Sequence, residues 1–275
     1  LGGRRIIKKK IFFLHSYANS TNELRAVELS REVLEATYVT SSHEILPVWR
    51  EWERFSTTVV SAYVGPVVER CLRALEVSLA ENGFRGTLFM MLSDGLVETV
   101  DNCVSRAVYL IGSGPAAAPA AAIYAGEQAA ETNLLSFDMG GTSIDVGVII
   151  DGEVPTTTES WVNDERVAIK MVDVHSAGAG GGSIGWIDSL GLLRVGPQSA
   201  GSDPGPACYG LGGTEPTVTD SDVLLGYVDP GYFLGGEIEL DAGLAAEAVR
   251  RSIAEPLSMD VLGAAQAMLT AVSSF

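Results

Sequence analysis

The chain has 275 residues, 18 of them Lys or Arg and 35 Asp or Glu, for a formal charge of −17. A surface that acidic repels phosphate backbones and excludes general nucleic-acid binding, while 47% hydrophobic residues exclude a disordered chain. The most apolar stretch, Gly114 to Gly126, is mostly alanine with two prolines, too short for the roughly 18 residues a membrane span needs, so no membrane partner is expected. Cys71, Cys103 and Cys208 are far apart and odd in number, framing neither a disulfide scaffold nor a CxxC metal site. With no export signal visible in the basic opening, a cytoplasmic location is expected.

Ile6 to Leu14 predicts a strand, with Arg4, Arg5, Lys8, Lys9 and Lys10 as its solvated flank, and Asn22 to Leu34 carries apolar residues at helical spacing. Thr57 to Leu79 predicts a second helix with Val60, Val64, Val67, Val68, Cys71, Leu72 and Leu75 as one stripe. Strands are expected at Thr87 to Leu92 and Val108 to Ile111, with a helix at Glu98 to Arg106 between them. An alanine-rich helix follows Gly112-Ser113-Gly114-Pro115 and ends near Asn133. Leu134 to Phe137 and Ile144 to Asp151 read as strands around a glycine turn, the second leading into an Asp151-Gly152 hairpin signal. From Gly178 to Gly236 glycine, proline, serine and aspartate dominate, and a long ligand-binding loop region is expected before helices return at Asp241 to Ile253 and Val261 to Val272. Alternating strands and helices predict an α/β fold.

Between the two strands lies Asp138-Met139-Gly140-Gly141-Thr142-Ser143-Ile144-Asp145. Glycines let backbone N–H groups approach an oxyanion, Thr142 and Ser143 add hydroxyl donors, and Asp138 and Asp145 suit a hydrated Mg²⁺, a combination that fits a nucleoside triphosphate. Neither a P-loop nor a dinucleotide fingerprint is present. The four glycines of Gly178-Ala179-Gly180-Gly181-Gly182-Ser183 lower fold stability by conformational entropy, so a purely structural loop is the weaker reading, and phosphate or nucleoside contact through Gly178, Gly180, Gly181, Gly182 and Ser183 is the expected role. Asp173 and His175 fall on one side of an extended segment. An acid/base couple, a pair of metal ligands and a structural hydrogen-bonding role all remain open for them. Cys208, without a basic neighbour in sequence, is expected to be a buried thiol.

Four segments in this order, FDMGGTSIDVG, DVHSAGAGGGSI, RVGPQSAGSDPGPACYG and GGTEPTVTDSDVLLGYVDP, resemble the hydantoinase A/5-oxoprolinase family. HSYAN, SSHEILPVWREWERFSTTVVSAYVGP and SGPAAA extend the resemblance over nearly the whole chain. It implies an actin-like, hexokinase-type ATPase architecture in which two α/β lobes close on ATP, with Asp138 to Asp145 as the second-lobe phosphate hairpin. Members begin with an earlier DxGGT-like hairpin, so the resemblance implies a fold incomplete at the N-terminus. Residues 1–56 would then be the end of the family's N-terminal domain and 57–275 a hydantoinase A-type domain truncated at its C-terminus. The implied activity is ATP- and Mg²⁺-dependent ring opening of a cyclic amide such as 5-oxoproline or a hydantoin. A ketone carboxylase subunit and a non-catalytic scaffold are the alternatives. Catalytic roles would fall to Asp138, Asp145, Asp173 and His175, and the implied partner is a hydantoinase B-type subunit or domain. Ser93-Asp94-Gly95 departs from the family's SNGG.

Overall fold

The computed structural model describes residues 8–34, 37–162 and 164–273, which form a mixed α/β chain. It divides into two compact units, one of residues 1–136 and 147–174, the other of 137–146 and 175–275.

In the first unit β1 (Lys8–Ile11) and β2 (Tyr38–Ser41) pair in parallel, Lys8 opposite Tyr38 and Ile11 opposite Ser41. Parallel strands need a crossover, and α1 (Thr21–Val33) supplies it, burying Val27 against Ile11 and Val39. The ladder is shorter than the expected Ile6–Leu14 strand: Ile6 and Ile7 lie outside the described residues, and beyond Ile11 the chain leaves the ladder and turns at His15, φ 58°. After α2 (Ser42–Ile45) comes α3 (Glu51–Glu81), which begins six residues before the expected Thr57. The reason is Arg54. Its fully buried guanidinium donates to Ser42 Oγ at 2.9 Å and the Phe13 carbonyl at 3.1 Å and stacks 4.4 Å from the Phe12 ring. Buried Glu23 takes the complementary donors, Phe13 N–H at 2.7 Å, His43 N–H at 2.8 Å and Ser42 Oγ at 2.9 Å. Ser16 Oγ of HSYAN accepts from the Arg54 guanidinium. Hydrogen bonds to both charges offset the cost of removing them from water, so the HSYAN and SSHE segments here brace the parallel strand pair. Of the α3 stripe, Val60 and Leu72 are buried but Val67, Cys71 and Leu75 are exposed.

The strand expected at Thr87–Leu92 is β3 (Phe89–Met91), which forms an antiparallel pair with β4 (Val97–Thr99) ahead of α4 (Val100–Ser105). Val108–Ile111 is not a strand. Ala107–Leu110 is a 3-10 turn with Ala107 and Val108 fully buried, and a four-residue apolar run carries no period to distinguish the two. The alanine-rich α5 (Ser113–Ala129) stops at Ala130 in the left-handed conformation. β5 (Leu134–Met139) and β6 (Ile144–Ile149) follow, and Asp151 and Gly152 take φ of 52° and 79° to close the Ile150–Glu153 bridge. Short antiparallel pairs complete the unit: β7 (Thr156–Thr157), β8 (Ser160–Val162), β9 (Glu165–Val167) and β10 (Met171–Val172), with β8 on β9 and β7 on β10.

β11 (Val174–Ala177) completes a three-stranded sheet of order β11-β6-β5. In the second unit the stretch expected to be loop contains regular structure: β12 (Ser183–Ile187) and β13 (Leu193–Ser199) pair antiparallel, and α6 (Val218–Leu225) follows. α7 (Ala242–Val249) runs through a π turn at Arg250–Ala254 into α8 (Glu255–Leu257), and α9 (Val261–Val272) has the expected bounds. Val195, Val218, Val249, Ile253 and Met268 form this unit's core, in which α9 packs against both α6 and β13.

Candidate functional site

The hairpin from Asp138 to Asp145 lies wholly in the second unit. Gly140 N–H donates to the Ser143 carbonyl at 2.9 Å, closing a turn whose middle residues are Gly141 and Thr142. Continuing the antiparallel register from that pair puts Asp138 opposite Asp145. Like charges directly opposite on a strand pair repel, by up to about 1 kcal/mol, unless a cation lies between them. Asp145 accepts from Ser176 Oγ, and Asp138 is exposed. No group of three or more His, Cys, Asp or Glu side chains suited to a metal occurs among the described residues.

The glycine loop packs directly on this turn. Gly181 N–H donates to the Gly140 carbonyl at 3.0 Å and Gly182 N–H to the Gly141 carbonyl at 2.7 Å. Two more of the loop's amides are used internally, Gly180 N–H on Ser183 Oγ at 2.8 Å and Ser183 N–H on the Gly180 carbonyl at 2.9 Å. Close approach explains the glycines: a Cβ on Gly180 would stand 2.6 Å from Thr142 N and 2.7 Å from the Gly140 oxygen, and one on Gly182 would stand 2.8 Å from the Gly141 oxygen. So four amides expected to face a ligand have protein acceptors, and what they hold is the hairpin. Gly178 has open space around its Cα.

With both turn carbonyls drawn toward the glycine loop, the trans peptide units direct the Gly141 and Thr142 N–H groups to the opposite side. Neither amide, nor that of Ser143, has an acceptor among the described residues, and Gly141 and Thr142 are exposed. Consecutive N–H groups aimed one way form an anion-binding concavity. Gly140 N–H is spent on closing the turn.

Asp173 and His175 are exposed, and neither side chain has a hydrogen-bond or ion-pair partner among the described residues. Asp173 is fixed by its backbone, its N–H donating to the Pro155 carbonyl at 2.9 Å. Cys208 is fully buried, and burial, then the neighbouring Asp220 carboxylate, push its thiol pKa up, which disfavours the thiolate a nucleophile requires. In the first unit, Asp94 accepts from Leu96 N–H at 3.0 Å within a local turn.

Three supporting residues escaped the sequence analysis. Thr219 donates through both N–H, 2.8 Å, and Oγ1, 2.9 Å, to the Gly181 carbonyl. Ser199 Oγ reaches the Gly141 carbonyl at 3.4 Å. Asp220, fully buried, accepts from Cys208 N–H at 2.7 Å, Ala207 N–H at 3.2 Å, and Thr217 N–H and Oγ1, both at 2.8 Å. Thr217 and Asp220 form a capping box at the start of α6, and the spacing of TVTD was the available signal. Two residues on, burial raises the Asp222 carboxyl pKa to about 6.

A family model described as hydantoinase/oxoprolinase matches residues 54–274. The chain is 41% identical to the caprolactamase subunit alpha of Pseudomonas jessenii over 263 residues, 96% of this chain and 38% of that protein. It is 34% identical to the 5-oxoprolinase of Saccharomyces cerevisiae over 227 residues, 81% of this chain and 17% of that protein. A nucleotide-free acetone carboxylase structure superposes with a TM-score of 0.83 at 29% identity, over 96% of this chain and 38% of that one. The chain thus spans less than two fifths of each of these relatives. With the family model matching most of its length, and with the glycine turn and its bracing loop inside the matched region, the chain belongs to the hydantoinase/oxoprolinase family.

Proposed function

We propose that the second unit is the phosphate-binding part of an actin-like ATPase lobe, and that the protein carrying it opens a cyclic amide at the expense of ATP. The observation that carries this is the pair of outward Gly141 and Thr142 amides, whose carbonyls are held on the other side by Gly181 and Gly182. Exposed amides without acceptors fit phosphate oxygens, and two carboxylates across a hairpin fit Mg²⁺, which binds proteins through one or two carboxylates and takes its other ligands from water and phosphate. Bound ATP would supply a phosphoryl group that makes the amide carbon attackable by water, a step that amide resonance otherwise makes slow.

In this assignment Gly141, Thr142 and Ser143 stabilise phosphate charge through preorganised N–H groups. Asp138 and Asp145 orient Mg²⁺. His175, with no protein partner on its ring, and Asp173 handle protons at the reacting centre. Gly180, Gly181, Gly182 and Ser183 act on the nucleotide through the turn they hold, and Gly178, which touches none of it, has no part in this assignment. A hydantoinase B-type subunit or domain supplies the rest of the machinery. Similarity to an acetone carboxylase as well as to lactam-opening relatives keeps a second use of the same hairpin as the alternative, activation of a ketone or bicarbonate.

The test is an activity panel with the full polypeptide and its partner subunit, using 5-oxoproline, hydantoin, caprolactam, and acetone with bicarbonate. Ring opening matched by ADP release supports the proposal. Carboxylation without lactam turnover supports the second use, and no ATP turnover with any substrate overturns both.

A further inference from the structure

The hydrogen bonds behind the hairpin form two chains of peptide units. In one, Ser183 N–H donates to the Gly180 carbonyl, the same peptide's Gly181 N–H donates to the Gly140 carbonyl, and that peptide ends in the outward N–H of Gly141. In the other, Thr219 N–H and Oγ1 donate to the Gly181 carbonyl, the same peptide's Gly182 N–H donates to the Gly141 carbonyl, and that peptide ends in the outward N–H of Thr142. Each peptide unit in such a chain is polarised by the donor behind it, so its own N–H becomes a stronger donor, by about 10–30% per bond. The second chain starts from two donors on one carbonyl, and one of them is an N–H in the first turn of α6, where the helix dipole is positive.

We propose that Thr219 is a positioning residue for nucleotide binding: it aligns and polarises the Thr142 amide through the Gly181–Gly182 and Gly141–Thr142 peptide units, and so sets affinity for the phosphates without touching them. This rests on the assignment of the hairpin to phosphate. Asp220 anchors the source of the chain. By tying Thr217, Ala207 and Cys208 to the first turn of α6, it holds Thr219 against Gly181. The two chains give an internal control, because Gly141 and Thr142 are adjacent in sequence but only the Thr142 chain passes through Thr219.

The experiment compares Thr219→Ala and Thr219→Ser with wild type in the full polypeptide, labelled with ¹⁵N-glycine and ¹⁵N-threonine. Affinity for ATP with Mg²⁺ is measured by calorimetry, and the amide proton shifts of Gly141 and Thr142 are recorded without ligand. Losing the Oγ1 donor in Thr219→Ala should weaken MgATP binding by up to about fivefold, move the Thr142 amide proton upfield and leave Gly141 in place. Thr219→Ser, which keeps the hydroxyl, should restore both affinity and shift. Wild-type affinity in Thr219→Ala, or equal movement of the two amides, overturns the relay. Failure of the wild-type protein to bind MgATP overturns the phosphate assignment instead, and the ligand-free shifts still accept or reject the relay.

Discussion

Replacing Gly180 by alanine adds one methyl group where the glycine loop meets the turn. Its Cβ would lie 2.6 Å from Thr142 N and 2.7 Å from both the Gly140 oxygen and the Gly141 carbonyl carbon. All three are backbone atoms, so no side chain can rotate away. Reaching ordinary van der Waals separation requires the loop and turn to part by about 0.8 Å. That would stretch the Gly181–Gly140 bond from 3.0 Å to beyond hydrogen-bonding range. Overpacking of this kind costs about 1–3 kcal/mol, or about 2–12 °C in Tm for a chain this long. It also unfixes the two outward amides. Since a hydrogen bond to a charged group is worth about 1.5–3 kcal/mol, MgATP affinity should fall by about tenfold or more. Gly178→Ala is the control in the same loop, because nothing lies within 4 Å of its added Cβ, and it should leave Tm and affinity unchanged. Calorimetric titration with MgATP and scanning calorimetry on both variants read the result. A Gly180→Ala protein as stable and as tight-binding as wild type, or a Gly178→Ala protein equally damaged, would refute the close-contact reasoning.

Asp138→Asn removes one of two facing carboxylates. It should raise Tm slightly in the absence of Mg²⁺, by relieving repulsion of up to about 1 kcal/mol, and lower ATP-dependent turnover by on the order of 10²-fold. A titration of Tm with Mg²⁺ and a turnover assay check both signs. Burial raises the Asp222 pKa to about 6, so the folded state holds more protons than the unfolded one from the ordinary carboxylate range near 4 up to about 6. Stability attributable to this group therefore falls as pH rises through that window and is flat above it. Asp222→Asn should raise Tm at pH 8 and leave it nearly unchanged at pH 4. His175→Gln should leave Tm unaltered, its ring having no protein partner, and lower turnover by roughly 10²-fold in the acid/base role. Normal turnover per folded molecule would remove His175 from the mechanism.

Long periodic segments were the most legible part of the fold. α1 and α9 lie where their apolar spacing puts them, and the strands at Leu134 and Ile144 flank the turn that their glycines mark. Short elements were hidden by composition. β12 reads SIGWI and β13 LRVGPQS, and glycine or proline inside each erases the alternation that identifies a strand. α6 has only eight residues and opens with threonine and aspartate, which signal its cap better than its body. The site was legible as a list of residue types but not as directions. Nothing in a glycine run says whether its amides face a ligand or a neighbouring carbonyl, and the bonds from Gly181 and Gly182 to Gly140 and Gly141 link segments about forty residues apart. Thr219 was invisible for the same reason, since its partner is a backbone carbonyl fixed only by the tertiary fold.

The central claim is that the Gly141 and Thr142 amides receive phosphate. A crystal structure of the full polypeptide with Mg²⁺ and a non-hydrolysable ATP analogue tests it most directly. The expected result is phosphate oxygens about 3 Å from both amide nitrogens, with Mg²⁺ against Asp138 or Asp145 directly or through water and the Gly181–Gly140 and Gly182–Gly141 bonds intact. Phosphates lodged away from the hairpin, or on the amides of Gly180 to Ser183 with those bonds broken, would contradict it.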